Sequence, residues 1–311
     1  DLSDYENTFS KSLCRQIKHL YFCGNYGDPA AASNFLDCVE FLRKQGVPRI
    51  SVFSNGSLQT AKWWQQLAKI LNQPKDFVNF SIDGLEDTNH LYRKNSHWNS
   101  IIENVSSFIK SGGQARWDWL VFEHNKHQIE QARRLSQQLG FVAFNRKQTA
   151  RFISEHNYRT NVSNHLAKHN KNVRRFEAIV KKYGSWNEYV NKTPISCKSR
   201  ALRSIYIDFE ADLWPCCWLG APKYLPKPNL QREQLEHIFA RYGHKFNNLR
   251  QHSLKDILSH PWFQSHLLTS WGKTLDDKNF KLYTCGRTCG GEYEFSGIRV
   301  TSNSEIQLNQ L

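Results

Sequence analysis

Four cysteines in the last third of this 311-residue chain stand in a spacing that a folded core does not require and a metal centre does. Cys197 is alone, Cys216 and Cys217 follow in Leu-Trp-Pro-Cys-Cys-Trp, and Cys285-Gly-Arg-Thr-Cys289-Gly-Gly completes the set. Thiolates beside turn-forming residues can converge from separate sites on one tetrahedral thiolate centre, either zinc or an iron-sulfur cluster. Buried apolar thiols are the other reading of the same residues. A second group of chemistry-bearing residues lies in the first half, in Cys23-Gly24-Asn25-Tyr26-Gly27-Asp28-Pro29, Ser54-Asn55-Gly56, Ser81-Ile82-Asp83-Gly84 and Glu123-His124-Asn125. Each segment alone reads as a turn, since Gly, Asn, Asp and Pro are what turns require. Their recurrence after successive apolar runs reads as a binding face, because ligands of parallel α/β sheets sit at the carboxyl ends of the strands.

The elements that must position these residues follow from periodicity. Short β-rich runs at Ile17-Lys18-His19-Leu20-Tyr21-Phe22, Arg49-Ile50-Ser51-Val52-Phe53, Val78-Asn79-Phe80-Ser81-Ile82, 116–122 and Phe141-Val142-Ala143-Phe144 alternate with amphipathic stretches. Between them Phe35, Val39 and Leu42 repeat at helical spacing and stop at Gly46. Ile101, Ile102, Val105, Phe108 and Ile109 stop at Gly112-Gly113, and Ile129, Ala132, Leu135 and Leu139 stop at Gly140. Five strands alternating with helices predict an α/β fold with a parallel sheet. Tyr26, Trp117, Trp119 and Trp218 are candidate walls of a substrate space, with core packing as the alternative.

Residues 159–183 carry seven Lys and Arg against the single acid Glu177, while Val162, Leu166, Val173, Phe176, Val180 and Tyr183 fall on one helical face. That pattern predicts a surface helix with a basic outer side. His165 and His169 stand four apart without a visible third ligand, and Ala221-Pro222-Lys223-Tyr224-Leu225-Pro226-Lys227-Pro228 reads as a loop. The chain has 42 Lys and Arg against 28 Asp and Glu, a formal net charge of +14, which suits an acidic partner or a solvated basic surface. Nucleic acid is not the partner this charge alone points to. No apolar run approaches the roughly 20 residues that span a bilayer, and the acidic N-terminus lacks the features of a signal peptide. Clustered cysteines of this kind suit a reducing, cytoplasmic setting. Methionine is absent, even from the first position.

Taken together the segments resemble the radical S-adenosylmethionine superfamily, and the tail resembles its SPASM or Twitch auxiliary-cluster extension. The resemblance implies a partial parallel (β/α)6-type barrel at 1–158, a basic connecting helix at 159–190 and a small cysteine-rich domain at 191–311. Gly27-Asp28-Pro29 is similar to the end of the family's Gly-Gly-Glu-Pro, which receives the methionine amino group, with Asp28 for glutamate and Tyr26 for a glycine. Ser54-Asn55-Gly56 is similar to its Thr-Asn-Gly, and Ser81 with Asp83 to the strand facing the ribose. Arg93 lies where an arginine meets the cofactor carboxylate, an ion-pair role being the other reading. Phe122 and Asn125 fall in the segment that lies against adenine. In the tail the family writes a cysteine, a gap, a glycine, four residues and a cysteine; here Ala211 takes the glycine's place and Cys216 is preferred over Cys217. The resemblance implies that Cys197, Cys216, Cys285 and Cys289 hold one auxiliary four-iron, four-sulfur cluster, in the shorter Twitch-like form.

The family's Cys-x3-Cys-x2-Cys loop, which binds the catalytic cluster, is not in this sequence, because Cys14, Cys23 and Cys38 are too widely spaced. The first visible strand carries the second-strand motif, so the first strand and its loop are expected upstream of Asp1, and the 311 residues alone are expected to be inactive. The implied activity is cleavage of S-adenosylmethionine to a 5′-deoxyadenosyl radical that abstracts hydrogen from a peptide or protein held between barrel and tail, with flavodoxin or ferredoxin as electron donor. A zinc-stabilised basic module binding nucleic acid and a degenerate scaffold are the alternatives. A dinucleotide-binding enzyme is disfavoured because no Gly-x-Gly-x-x-Gly follows a strand.

Overall fold

The computed structural model describes residues 1–24, 26–148, 171–293, 298–300 and 306–308, and His165 and His169, with the expected boundary at 158–159, lie outside them. The described residues fall into two compact units, one running to residue 148 and the other from residue 171.

In the first unit β1 (Leu20–Phe22), β2 (Ile50–Ser54), β3 (Phe77–Ser81), β4 (Ala115–Leu120) and β5 (Ala143–Lys147) form one parallel sheet in sequential order. The expected α/β class with a parallel sheet is what the structure has. Two short helices, Leu2–Thr8 and Lys11–Gln16, occupy the N-terminus, and the second ends at Ile17, which is why β1 starts three residues later than the apolar run. The crossover helices Phe35–Lys44, Ala61–Ile70, Trp98–Lys110 and Ile129–Leu139 obey the predicted spacing. Thr60 caps the second of them by accepting the Trp63 N–H, and Gly140 closes the last in the left-handed conformation.

Strand alternation sorts the sheet into two faces. Val52, Val78, Phe80, Ile82, Ala115, Trp117 and Trp119 share one core with Val39, Leu42, Trp64, Leu67, Ile101 and Phe108 of the helices. Trp117 and Trp119 are therefore core and not substrate walls: both are fully buried, and Trp117 donates its indole N–H to the Ile82 carbonyl at 2.9 Å. Tyr26 and Trp218 are exposed. The opposite face carries His19, Ser51, Phe53, Phe77, Asn79, Ser81, Arg116, Asp118, Asn145 and Lys147, an unusually polar set for a sheet interior.

In the second unit the basic helix is observed over Lys171–Tyr183. Its buried side rests on Phe176 and Ile179, and Phe176 stacks on Trp186 of the next helix, Trp186–Lys192, with Tyr293 against both rings. The two-stranded hairpin β6 (Tyr206–Ile207) and β7 (Leu213–Trp214) follows, then helices Cys217–Gly220, Leu230–Tyr242 and Tyr283–Cys289 around Trp214, Leu235, Phe239 and Trp262. The proline-rich segment is not wholly loop, since Ala221–Tyr224 forms a 3-10 turn. A last two-stranded sheet pairs β8 (Ile298–Val300) with β9 (Ile306–Leu308). No helix among the described residues is long and apolar enough to cross a membrane.

Candidate cofactor site

Two of the segments singled out by sequence meet at one carboxylate. Asp28 caps the 3-10 turn Pro29–Ala31 through Oδ1, which accepts the Ala30 N–H at 3.0 Å. Its Oδ2 accepts the Ser54 hydroxyl and the Asn55 N–H, both at 2.9 Å. A carboxylate offers about four acceptor sites, so three bonds hold Asp28 in place and leave capacity for an incoming ammonium. The loop after β2 is tied in turn: Ser54 Oγ accepts the Gly56 N–H at 3.0 Å, and Asn55 Oδ1 accepts from the Ser57 N–H and hydroxyl. Gly56 has a φ of +75°, and a Cβ there would sit 3.0 Å from the Phe80 ring, so only glycine lets this turn lie on the sheet.

The segment after β3 is fastened from several sides. Asp83 is wholly buried; its Oδ1 accepts the Leu120 N–H at 2.6 Å and its Oδ2 accepts Arg93 Nε at 2.7 Å and Nη2 at 2.6 Å. Burial pushes the Asp83 carboxyl above its ordinary value, while the Arg93 charge and the Leu120 N–H pull the other way. Asn89 Oδ1 accepts the Asp83 N–H, and a Cβ at Gly84 would lie 2.3 Å from the Asn89 nitrogen, so the loop 83–89 closes tightly. Arg93 is thus an ion-pair partner here, though of a buried carboxylate, and the pair uses Nε and Nη2, leaving Nη1 outside it. Ser81 ends β3 half-buried, in register with Asp118.

After β4, Asn125 is fully buried and its amide is spent on the chain: Nδ2 donates to the Asp83 and Leu120 carbonyls, and Oδ1 accepts the Phe122 N–H. Asn125 therefore acts by fixing the loop, with no open edge of its own. Phe122 is buried between Tyr92, with ring centroids 4.5 Å apart, and His124, stacked at 5.3 Å. Gly27, Asp28 and Pro29 at the first strand end, Ser54 and Asn55 at the second, and Ser81, Asp83 and Arg93 at the third lie at carboxyl ends of one sheet. One cluster escaped the sequence reading: Asp118 accepts Asn145 Nδ2 at 3.0 Å and pairs with Lys147. Strand alternation from Ser81 was the signal that could have found it.

In the second unit the thiols sit at helix ends. Cys197 and Cys216 are the N-cap residues of Lys198–Leu202 and Cys217–Gly220, and Cys285 and Cys289 lie four apart on Tyr283–Cys289. Antiparallel bridging of Ile195 with Gly290 brings the flanks of Cys197 and Cys289 together. The hydrogen bond between these two thiols holds Cys197 down to about 6, helped by the Arg200 and Ser199 N–H groups, and pushes Cys289 up. Burial pushes Cys216 up to about 12 and raises Cys285; negative charge on Cys216 and Cys197 adds to the rise at Cys285. Cys197 is thus the thiol that ionises first, while Cys216, Cys285 and Cys289 resist ionisation in a way that a bound cation would relieve.

Among the described residues no three His, Cys, Asp or Glu stand close enough to hold a single metal ion. A four-iron cluster takes one thiolate at each corner and needs wider spacing than one ion does. The buried Trp271 indole N–H is directed at Cys285 and favours its thiolate form. Upstream, the hairpin that delivers Cys216 is held by Asp208, which accepts the Glu210 and Asp212 N–H groups and the Trp214 indole, while Lys223 pairs with Glu210 and Asp212. Ala211, in the glycine's place, has a φ of +66°, the left-handed region that favours glycine.

No protein-family model and no curated protein matches the chain. Solved structures do. SuiB of Streptococcus suis superposes with a TM-score of 0.50 at 12% identity over 91% of this chain, which spans 65% of SuiB. The protein anSMEcpe with bound AdoMet superposes at 0.53 and 13% identity, covering 99% of this chain and 83% of that one. The same protein with AdoMet and the Cp18Cys peptide gives 0.51 at 13% identity, with 96% and 82% covered. At this identity the likeness is one of fold, an α/β fold with a parallel five-stranded sheet.

Proposed function

We propose that this chain binds S-adenosylmethionine across the ends of β1 to β4 and carries one auxiliary four-iron, four-sulfur cluster in a SPASM/Twitch-like tail, as part of a radical enzyme acting on a peptide or protein. The observation that carries the reading is Asp28, whose carboxylate draws together the loops after β1 and β2 and keeps an acceptor for an ammonium. The fold likeness to structures with bound AdoMet supports it, and the one with a bound peptide supports the substrate class.

In this reading Asp28 takes the cofactor's amino group, Arg93 turns Nη1 to its carboxylate, and Ser54, Asn55 and Ser81 supply short polar groups to its hydroxyls. Asp83, Asn125 and Gly56 keep those loops in register, so orientation is set before the cofactor arrives. Phe122 closes the apolar side against water. S-Adenosylmethionine held here would supply, on one-electron reduction by a flavodoxin or ferredoxin through a catalytic cluster for which this sequence has no Cys-x3-Cys-x2-Cys loop, methionine and a 5′-deoxyadenosyl radical able to abstract hydrogen. Cys197, Cys216, Cys285 and Cys289 hold the auxiliary cluster, with N–H groups of residues 198–200 tuning the sulfurs.

The test is anaerobic purification with iron, acid-labile sulfide and zinc measured per chain. Iron and sulfide in equal amounts, lost in Cys216→Ala, support the tail reading. Zinc without sulfide overturns it.

A further inference from the structure

The face of the five-stranded sheet turned away from the helices holds donors that have nothing to donate to. Asn79 lies mid-strand in β3, only 3% exposed, and its Nδ2 is buried without a hydrogen-bond partner. Arg116, its neighbour in register on β4, buries its Nε in the same condition. Buried donors of this kind are rare in folded proteins and each calls for an explanation.

The surroundings make the pair cationic. The Arg116 guanidinium lies 3.9 Å from the centre of the Phe77 ring, and Arg49 lies 5.6 Å from the same ring. Among the described residues neither arginine has a carboxylate within ion-pair distance, because the acids nearby are taken. Asp118 is bound by Lys147 and Asn145, and Asp76 by Arg43 and the Ile50 and Gln73 N–H groups. Burial, then the Arg49 charge, push Arg116 down, and the same two causes hold His19 at about 4, so this imidazole stays neutral and adds no charge. What remains is a positive field, offset only in part by Asp118, beside two orphan donors and flanked by Phe53 and Phe77, whose centroids lie 6.2 Å apart.

We infer that this face binds a carboxylate-bearing ligand, with Arg116 and Asn79 donating to its oxygens and Phe53 and Phe77 against its hydrocarbon part. A planar carboxylate suits a guanidinium edge next to a planar amide better than a tetrahedral anion does. The inference rests on the proposed function and narrows its peptide or protein substrate to one presenting an acidic group, which would lie on this face of the sheet. The pair stands two residues below Ser81 on β3 and two below Asp118 on β4, away from the strand-end loops assigned to the cofactor.

The test follows the Arg Nε–H and Asn Nδ2–H resonances of the full chain during titration with glutarate, its dimethyl ester, inorganic phosphate or AdoMet. Assignment comes from Arg116→Gln and Asn79→Ser. Saturable shifts of both resonances with glutarate alone, weakened about tenfold in Asn79→Ser and lost in Arg116→Gln, are expected. Shifts of equal size with the ester or phosphate, or none with glutarate, overturn the inference and assign the donors to water. Shifts caused by AdoMet also overturn it, by assigning the pair to the cofactor's own carboxylate. Calorimetry with AdoMet on Asn79→Ser separates the two readings: unchanged heat with no glutarate response leaves the proposed function standing, and absent heat in every variant removes that function.

Discussion

At the ends of β1 to β4 the polar side chains are held by hydrogen bonds to one another and to backbone, as in the Asp28–Ser54–Asn55 and Asp83–Arg93–Leu120 contacts. The four thiols are instead placed by helix caps and a hairpin, and burial opposes ionisation at Cys216 and Cys285 while the Cys289 contact favours it at Cys197. The first region is organised without a ligand, and the second, in the proposed reading, is completed by one. Preorganised carboxylates suit a small, diffusible cofactor, while a thiolate set gains its stability only with the metal it binds.

The comparison breaks most visibly at the cysteines. Cys285→Ala is expected to abolish iron and sulfide retention, measured by metal analysis, while leaving AdoMet binding by calorimetry within about twofold. Iron retained in that variant would mean that Cys285 is a core thiol and not a ligand. On the other side, Arg93→Leu leaves a carboxylate buried without its partner and is expected to destabilise the first unit by about 3 kcal/mol in urea unfolding. Adding Asp83→Asn to it should recover more than half of that loss, because the charge goes with its partner.

A pH series sharpens the difference further. His19 is held below its ordinary value at about 4, with Nε2 on Ser51 Oγ at 2.9 Å, so protonation favours the unfolded chain. Stability is complete above the unfolded pKa of about 6.5 and is lost as pH falls from there to 4. Because the ring is partly solvated the loss should be modest, about 1 kcal/mol by chemical denaturation, and His19→Asn should flatten that part of the profile. The smallest effect belongs to the tail: Ala211→Gly relieves a left-handed alanine and should stabilise the second unit by about 0.5–1 kcal/mol, read as a higher melting temperature.

Much of this organisation was legible in the residues, for physical reasons that also mark where legibility ended. The five β-rich runs and the glycines at 46, 112 and 140 located strands and helix ends because local periodicity and left-handed caps are short-range properties. Ala211 adopts the left-handed conformation that favours glycine, a property the sequence position alone hints at. What escaped depends on register between strands. The Asp118–Asn145–Lys147 cluster, the stapling amide of Asn125 and the orphan pair Asn79 and Arg116 arise from side chains 27 to 42 positions apart or on neighbouring strands. Trp117 and Trp119 were readable as core, since alternation puts them with Phe80 and Val78 on the helix side. Arg93 shows a different limit, because position alone does not tell whether a guanidinium meets a ligand or a neighbouring aspartate.

Isothermal titration of AdoMet into the wild-type chain and into Asp28→Asn asks whether the strand ends hold S-adenosylmethionine through Asp28. The account predicts one-site binding by the wild type that weakens at least about tenfold in the variant, since a charge-assisted bond to the ammonium is lost while Ser54 and Asn55 remain. Equal affinity in both chains, or no binding heat in the wild type, would contradict it.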